Sequence, residues 1–203
     1  MNIELILLEK SYHKKLIFRN LSAKFESGKR YGIAGYNGSG KSTLLKILAG
    51  FITPNAGSVH YTIAEKSIPV ESIYKHVNFI APYIDLPSDL SLYELFDFHF
   101  SMKNRQGNDR NEQINEYFQL PTELPIRQFS SGMLQRVKLA LAFFTESDFI
   151  LLDEPTETLD EKGFGLYAKL LDEISAQRTV IIASNKEKDF IDCQSILRVN
   201  DYA

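Results

Sequence analysis

Gly35-Tyr36-Asn37-Gly38-Ser39-Gly40-Lys41-Ser42-Thr43 decides the fold. A short apolar run, Arg30-Tyr31-Gly32-Ile33-Ala34, precedes it, and Leu44-Leu45-Lys46-Ile47-Leu48-Ala49 follows. The order is strand, glycine-rich loop, helix, the context that a G-x-x-x-x-G-K-[ST] phosphate-binding loop requires. Glycines let successive N–H groups turn inward at phosphate oxygens, and the following helix adds its positive end. In this reading Gly35, Asn37, Gly38, Ser39, Gly40 and Thr43 line the loop. Lys41 reaches the β- and γ-phosphates, and the Ser42 hydroxyl ligates Mg²⁺. The expected ligand is a nucleoside triphosphate.

Working outward, Ile3 to Leu8 reads as a strand, followed by a polar turn from Glu9 to Lys15. A second strand covers Leu16 to Phe18 or Leu21 to Phe25, with a Ser27-Gly28-Lys29 turn before the strand that feeds the loop. Gly50 stops the helix after the loop, Ser58 to Ile63 alternates as a half-buried strand, and Val77 to Ala81 is a strand ended by Pro82. From Asp89 to Gln119 the pattern is helical: Ser91 with Glu94 forms a capping box, and Glu112 to Phe118 makes a short helix. Ser130-Ser131 opens a longer helix with Met133, Val137, Ala140, Leu141 and Phe144 on its apolar face. Then come a strand Phe149 to Leu152, a helix Phe164 to Ile174, and strands Thr179 to Ala183 and Ile196 to Val199. The expected architecture is one α/β domain over 1–203: a P-loop NTPase core with a mixed β-sheet, an antiparallel β subdomain, and a helical insertion at about 84–144.

Composition narrows the function classes. The 203 residues carry 23 basic and 26 acidic side chains, so there is no polybasic field and no nucleic-acid partner is expected. A single cysteine, Cys193, allows no intrachain disulfide and suits a reducing cytosol. No apolar run approaches the ~20 residues of a membrane span. Met1 to Leu8 lacks a basic n-region and a cleavage site, so no signal peptide is expected.

Phe149-Ile150-Leu151-Leu152-Asp153-Glu154-Pro155 is an apolar strand ending in two carboxylates. A buried central strand delivers such groups to the C-terminal edge of a parallel sheet, where ligands bind. Asp153 is suited to hold Mg²⁺ with Ser42, and Glu154 to polarise an attacking water.

Phe129-Ser130-Ser131-Gly132-Met133-Leu134-Gln135-Arg136 resembles the L-S-G-G-Q signature of the ATP-binding subunits of ABC transporters, and Thr156-Glu157-Thr158-Leu159-Asp160 resembles their D-loop. With the phosphate loop and the Asp153-Glu154 pair, the resemblance covers essentially the whole chain. It implies a homo- or heterodimer of ATP-binding subunits facing head to tail. Each ATP is then held by one chain's loop and the other's Ser130, Ser131 and Gly132, and Asp160 lies in the D-loop. It also implies a membrane-spanning partner on another chain, a cytoplasmic location through that partner, and Tyr12 stacking on adenine. The aromatics of Ser91 to Ser101 are expected to serve the docking of that partner.

The sequence departs from the family pattern at three places. Pro82 stands where a glutamine is usual, Asn185 where the family has a switch histidine, and Ser131 and Met133 where the signature has glycine and glutamine. Asparagine can hydrogen-bond a γ-phosphate oxygen but cannot carry charge. Glu154, Lys41 and Asn185 are the expected catalytic side chains, and slow ATP hydrolysis is the expected activity. A soluble ABC-type ATPase acting on macromolecules, and an ATP-dependent dimerisation module that scarcely turns over, are the alternatives.

Overall fold

A computed structural model describes residues 1–13, 15–173 and 178–203. Two sheets organise the chain. In the core sheet β3 (Arg30–Ala34), β6 (Val77–Ile80), β7 (Phe149–Asp153), β8 (Thr179–Ser184) and β9 (Ser195–Arg198) run in the order β6-β7-β8-β3-β9, all parallel. The second sheet is antiparallel, with β1 (Asn2–Tyr12), β2 (Lys15–Phe25), β4 (Ala56–Ile63) and β5 (Lys66–Ile68) in the order β2-β1-β4-β5. Parallel and antiparallel pairing are both present, as expected, but divided between the sheets.

β7 and β8 are buried along their whole length, which explains their near-continuous apolar sequences. Successive side chains alternate between faces. Ile150, Leu152, Val180 and Ile182 pack toward α2 (Leu92–Met102), α3 (Asn111–Phe118), α4 (Ser131–Phe144) and α5 (Glu161–Glu173). Phe149, Leu151, Ile181 and Ala183 pack toward α1 (Lys41–Leu48) and the antiparallel sheet. Asp153 continues the 149–151 row, and that alternation turns its carboxylate toward the side of the sheet that carries α1.

Several sequence expectations need correction at their edges. The polar turn at 9–15 is mostly strand: β1 runs to Tyr12, which pairs with Lys15, and Lys14 lies outside the described residues. The two alternatives for the second strand merge into one, β2. Register shifts between Leu5 and Ser11 break the period-2 alternation that a sequence reading needs. β6 ends at Ile80, one residue before Ala81. The helix expected over 164–174 starts earlier, at Glu161, and Ile174 lies outside the described residues. The Ser91–Glu94 capping box is present, with Glu94 accepting the Ser91 N–H at 2.8 Å.

Candidate functional site

Strand order puts the ends of β3, β8 and β7 side by side at one edge of the core sheet. They deliver the glycine-rich loop, Ser184-Asn185, and Asp153-Glu154 to that edge. The loop is built on the glycines that geometry demands: Gly38 and Gly40 have φ of 80° and 106°, a region closed to most side chains. A Cβ at Gly35 would lie 2.4 Å from Ser39 Oγ. Gly40 caps α1 without any side-chain bond, so the first N–H groups of the helix stay free for a ligand.

Lys41 is 5% exposed and folds back over the loop, donating to the Gly35 carbonyl at 2.9 Å. Its Nζ also lies 3.2 Å from Glu154 Oε1. Glu154 has φ 45°, a strained value for a residue with a side chain, and its N–H is bonded to the Ala183 carbonyl at 2.8 Å. Asn185 donates to Asn37 Oδ1 at 2.9 Å, tying the segment after β8 to the loop.

Asp153 is 1% exposed, and neither carboxylate oxygen has a hydrogen-bond partner. Burial pushes its pKa up; the nearby Ser42 hydroxyl works against that, Glu154 adds to the rise, and Tyr83 and Lys41 oppose it. A buried carboxylate without partners, beside a hydroxyl, fits a hard divalent cation. Among the described residues no three His, Cys, Asp or Glu side chains converge on a metal site. That donor set suits Mg²⁺, which takes one or two carboxylates and completes its shell with phosphates and water.

The segment from Ser130 to Gly132 makes its contacts elsewhere. Ser130 caps α4, accepting the Met133 N–H at 3.3 Å, and Ser131 is exposed. The Thr158 hydroxyl donates to the Ser131 carbonyl at 3.1 Å, and Arg136 pairs with Asp160 at 2.8 Å. Gln135, buried, donates to the Pro155 carbonyl at 2.8 Å. The start of α4 is thereby fastened to the loop after β7. Tyr12 is 45% exposed at the tip of the β1–β2 hairpin, with Lys10 Nζ 5.2 Å above its ring. β2 reaches the phosphate loop from that side, since a Cβ on Gly40 would strike Ile17.

The residues 18–157 match the family described as ABC transporter. The chain belongs to the ABC transporter family. It is an ATP-binding subunit of that family and an ATPase. It is 33% identical to the ABC transporter ATP-binding protein YybJ of Bacillus subtilis (strain 168), over 98% of this chain and 92% of that one. An ABC transporter ATP-binding protein of Pyrococcus furiosus has the same fold, with a TM-score of 0.85 at 22% identity and 100% of both chains covered. The dimeric structure of MJ0796, a bacterial ABC transporter cassette, superimposes with a TM-score of 0.81 at 22% identity, over 98% of this chain and 95% of that one.

Two features of this ABC subunit were not legible beforehand. Tyr83, next to the proline that replaces the usual glutamine, turns toward Asp153; burial and that carboxylate raise its own pKa. Lys46 Nζ lies 4.3 Å from its ring centroid. Ser184 and Asp189, absent from the expected site, stand directly behind Glu154. Nothing in the sequence around Ser184 or Asp189 marks their link to Glu154.

Proposed function

We propose that this subunit hydrolyses ATP in a composite site shared with a second ATP-binding subunit, and that the cycle drives a membrane-spanning partner. The observation that carries the reading is the convergence at one sheet edge of a glycine loop, a lysine folded over it, and two carboxylates with distinct surroundings. Asp153 is buried and unpartnered, whereas Glu154 is paired and partly open.

In this mechanism Lys41 leaves Glu154 and turns to the β- and γ-phosphates, which the backbone of Gly35, Asn37, Gly38, Ser39 and Gly40 surrounds and the start of α1 at Ser42 and Thr43 attracts. Ser42 and Asp153 would hold Mg²⁺, which when bound neutralises charge on the phosphate oxygens. Freed of the lysine, Glu154 accepts the proton of the water that attacks the γ-phosphorus. Asn185, aimed at Asn37 on the loop, donates to a γ-phosphate oxygen. Ser130, Ser131 and Gly132 offer a hydroxyl and a helix N-terminus to the ATP of the facing subunit, and Asp160 holds the adjacent loop through Arg136. Tyr12 stacks on the base.

The membrane partner sits in a groove of about 440 Å³ between the core and the helical segment, lined by Phe51, Tyr74, Phe79, Leu95 and Phe98. Phe98 and Tyr74 are 49% and 57% exposed, and Lys103 and Lys138 lie in the wall, bonded to carbonyls. Among the described residues no helix is long and apolar enough to cross a membrane, which leaves that role to the partner. The subunit then works at the cytoplasmic face. Phosphate release above that of a Glu154→Gln control supports the reading, and release equal to that control refutes it. Loss of co-purification with the membrane partner on Phe98→Asp, with ATP binding kept, supports the docking groove.

The second reading, an ATP-dependent dimerisation module that scarcely turns over, draws on Pro82 and Asn185. A dimer that forms on ATP and outlives many expected turnovers would favour it.

A further inference from the structure

Ser184, the last residue of β8, is fully buried between two carboxylates. Its Oγ lies 3.0 Å from Oε2 of Glu154 and 2.7 Å from Oδ2 of Asp189. The Lys186 N–H donates to the same oxygen at 3.1 Å. A hydroxyl has one proton, so Ser184 bonds one carboxylate at a time.

Asp189 is itself immobilised. It is completely buried, its Oδ1 accepts the Thr156 hydroxyl at 2.6 Å, and its carbonyl accepts the Tyr167 hydroxyl at 3.0 Å. Thr156 and Tyr167 are buried too, at 2% and 0%. The group that holds Ser184 is thus anchored to the loop after β7 and to α5. These buried bonds hold Asp189 in place, and with it the serine hydroxyl that faces it.

Glu154 is gripped at both oxygens, Oε1 by Lys41 at 3.2 Å and Oε2 by Ser184. When Lys41 turns to phosphate, the first grip is lost. Asn185 does not replace it: its amide donates to Asn37 and, in the proposed mechanism, to a γ-phosphate oxygen. Among the described residues, Ser184 is then the one side chain still bonded to the carboxylate.

We propose that Ser184 is the positioning residue that orients Glu154 for attack, and that Asp189 and Thr156 are its mount. Asp189 also accepts the hydroxyl whenever Glu154 lets go, so Glu154 can move without leaving a buried donor unpaired. The inference rests on the reading of Glu154 as general base.

The test uses the purified full chain with Mg²⁺ and ATP, comparing Ser184→Ala, Ser184→Cys, Ser184→Thr and Asp189→Asn with Glu154→Gln. Displacing a catalytic group by about 1 Å costs about 10²-fold, so Ser184→Ala and Ser184→Cys should lower kcat by about 10- to 100-fold. KM and the affinity for a fluorescent ATP analogue should stay within about twofold, the mark of an interaction used in the chemical step. Ser184→Thr, which keeps the hydroxyl, should recover kcat to within about threefold, and Asp189→Asn should lower kcat with the same split. Wild-type kcat in Ser184→Ala overturns the proposal. So does a parallel fall in kcat, affinity and Tm, or no recovery with threonine. If the alanine variant does not fold, the near-isosteric cysteine and threonine pair makes the same comparison. An inactive Glu154→Gln beside a fully active Ser184→Ala refutes the serine's role alone, whereas an active Glu154→Gln overturns the base assignment as well.

Discussion

Lys41 Nζ and Glu154 Oε1 stand 3.2 Å apart, so the cation proposed for phosphate and the carboxylate proposed as base neutralise each other. The pair is only 6% and 18% exposed at its side chains, where solvent screens it little. In the proposed mechanism ATP competes with Glu154 for the lysine, and the arrival of triphosphate frees the base at the moment it is needed.

This pairing gives opposite signatures for two substitutions. Glu154→Gln releases Lys41 and removes a general base, so ATP affinity is kept or rises while turnover drops by about 10²-fold or more. Lys41→Ala loses the phosphate contact and weakens ATP binding itself. Equilibrium nucleotide binding and phosphate release, measured on both, separate the roles. Equal loss of affinity in the two variants would contradict the pairing.

Asp153 is buried with no hydrogen-bond partner on either carboxylate oxygen, and burial outweighs the help of Ser42, Tyr83 and Lys41. Asp153→Asn keeps the shape and removes the charge, so the nucleotide-free protein should melt higher by about 2–4 °C, the shift for about 1 kcal/mol in a chain of this size. In the same variant Mg²⁺ should no longer tighten ATP binding. Scanning calorimetry and ATP titrations with and without Mg²⁺ check both halves. A wild-type Mg²⁺ effect in the variant would remove Asp153 from the metal site.

The pieces of the site that lie in one stretch were legible in the sequence. Loop, lysine and Ser42 are fixed by local backbone chemistry, and the Asp153-Glu154 pair by an apolar strand that has to be buried. Ser184 and Asp189 were not legible, because their link to Glu154 exists only after β7 and β8 pair and the turn after β8 folds inward. The β1–β2 hairpin was misread for another reason. Register shifts put Leu7, at φ 47° and 58% exposed, out of the alternation that marks a strand. The turn of Tyr83 toward Asp153 is likewise a tertiary fact.

His99 makes stability depend on pH. Its Nε2 lies 2.8 Å from the Thr145 hydroxyl, which donates to the Leu141 carbonyl, so the ring nitrogen is the donor. Burial, then the Lys103 charge, lowers its pKa to about 4. The unfolded chain keeps the ordinary value near 6.5 and binds the proton more readily. Stability is therefore full above about pH 6.5 and is lost as pH falls toward 4. After discounting for partial exposure, the loss is about 1–2 kcal/mol. Urea denaturation at pH 7 and pH 4.5 should show wild type losing that much more than His99→Gln. Identical pH dependence in the two proteins would exclude the histidine as the cause.

In the proposed mechanism Asn185 limits the rate more than the affinity. Its amide is bonded to Asn37 at 2.9 Å, so position 185 already faces the mouth of the phosphate loop. An amide can bond a γ-phosphate oxygen but stays neutral as charge builds on that oxygen during transfer. A histidine there can be cationic, and hydrogen bonds from charged donors are roughly twice as strong as neutral ones. The gain appears only where charge develops, so it lowers the barrier without tightening the ground state. Asn185→His should raise kcat by about 10-fold, the equivalent of about 1.4 kcal/mol, with KM for ATP nearly unchanged. Steady-state phosphate release across ATP concentrations reads the two parameters separately. A lower KM at constant kcat would mean that position 185 binds nucleotide without sensing the transition state.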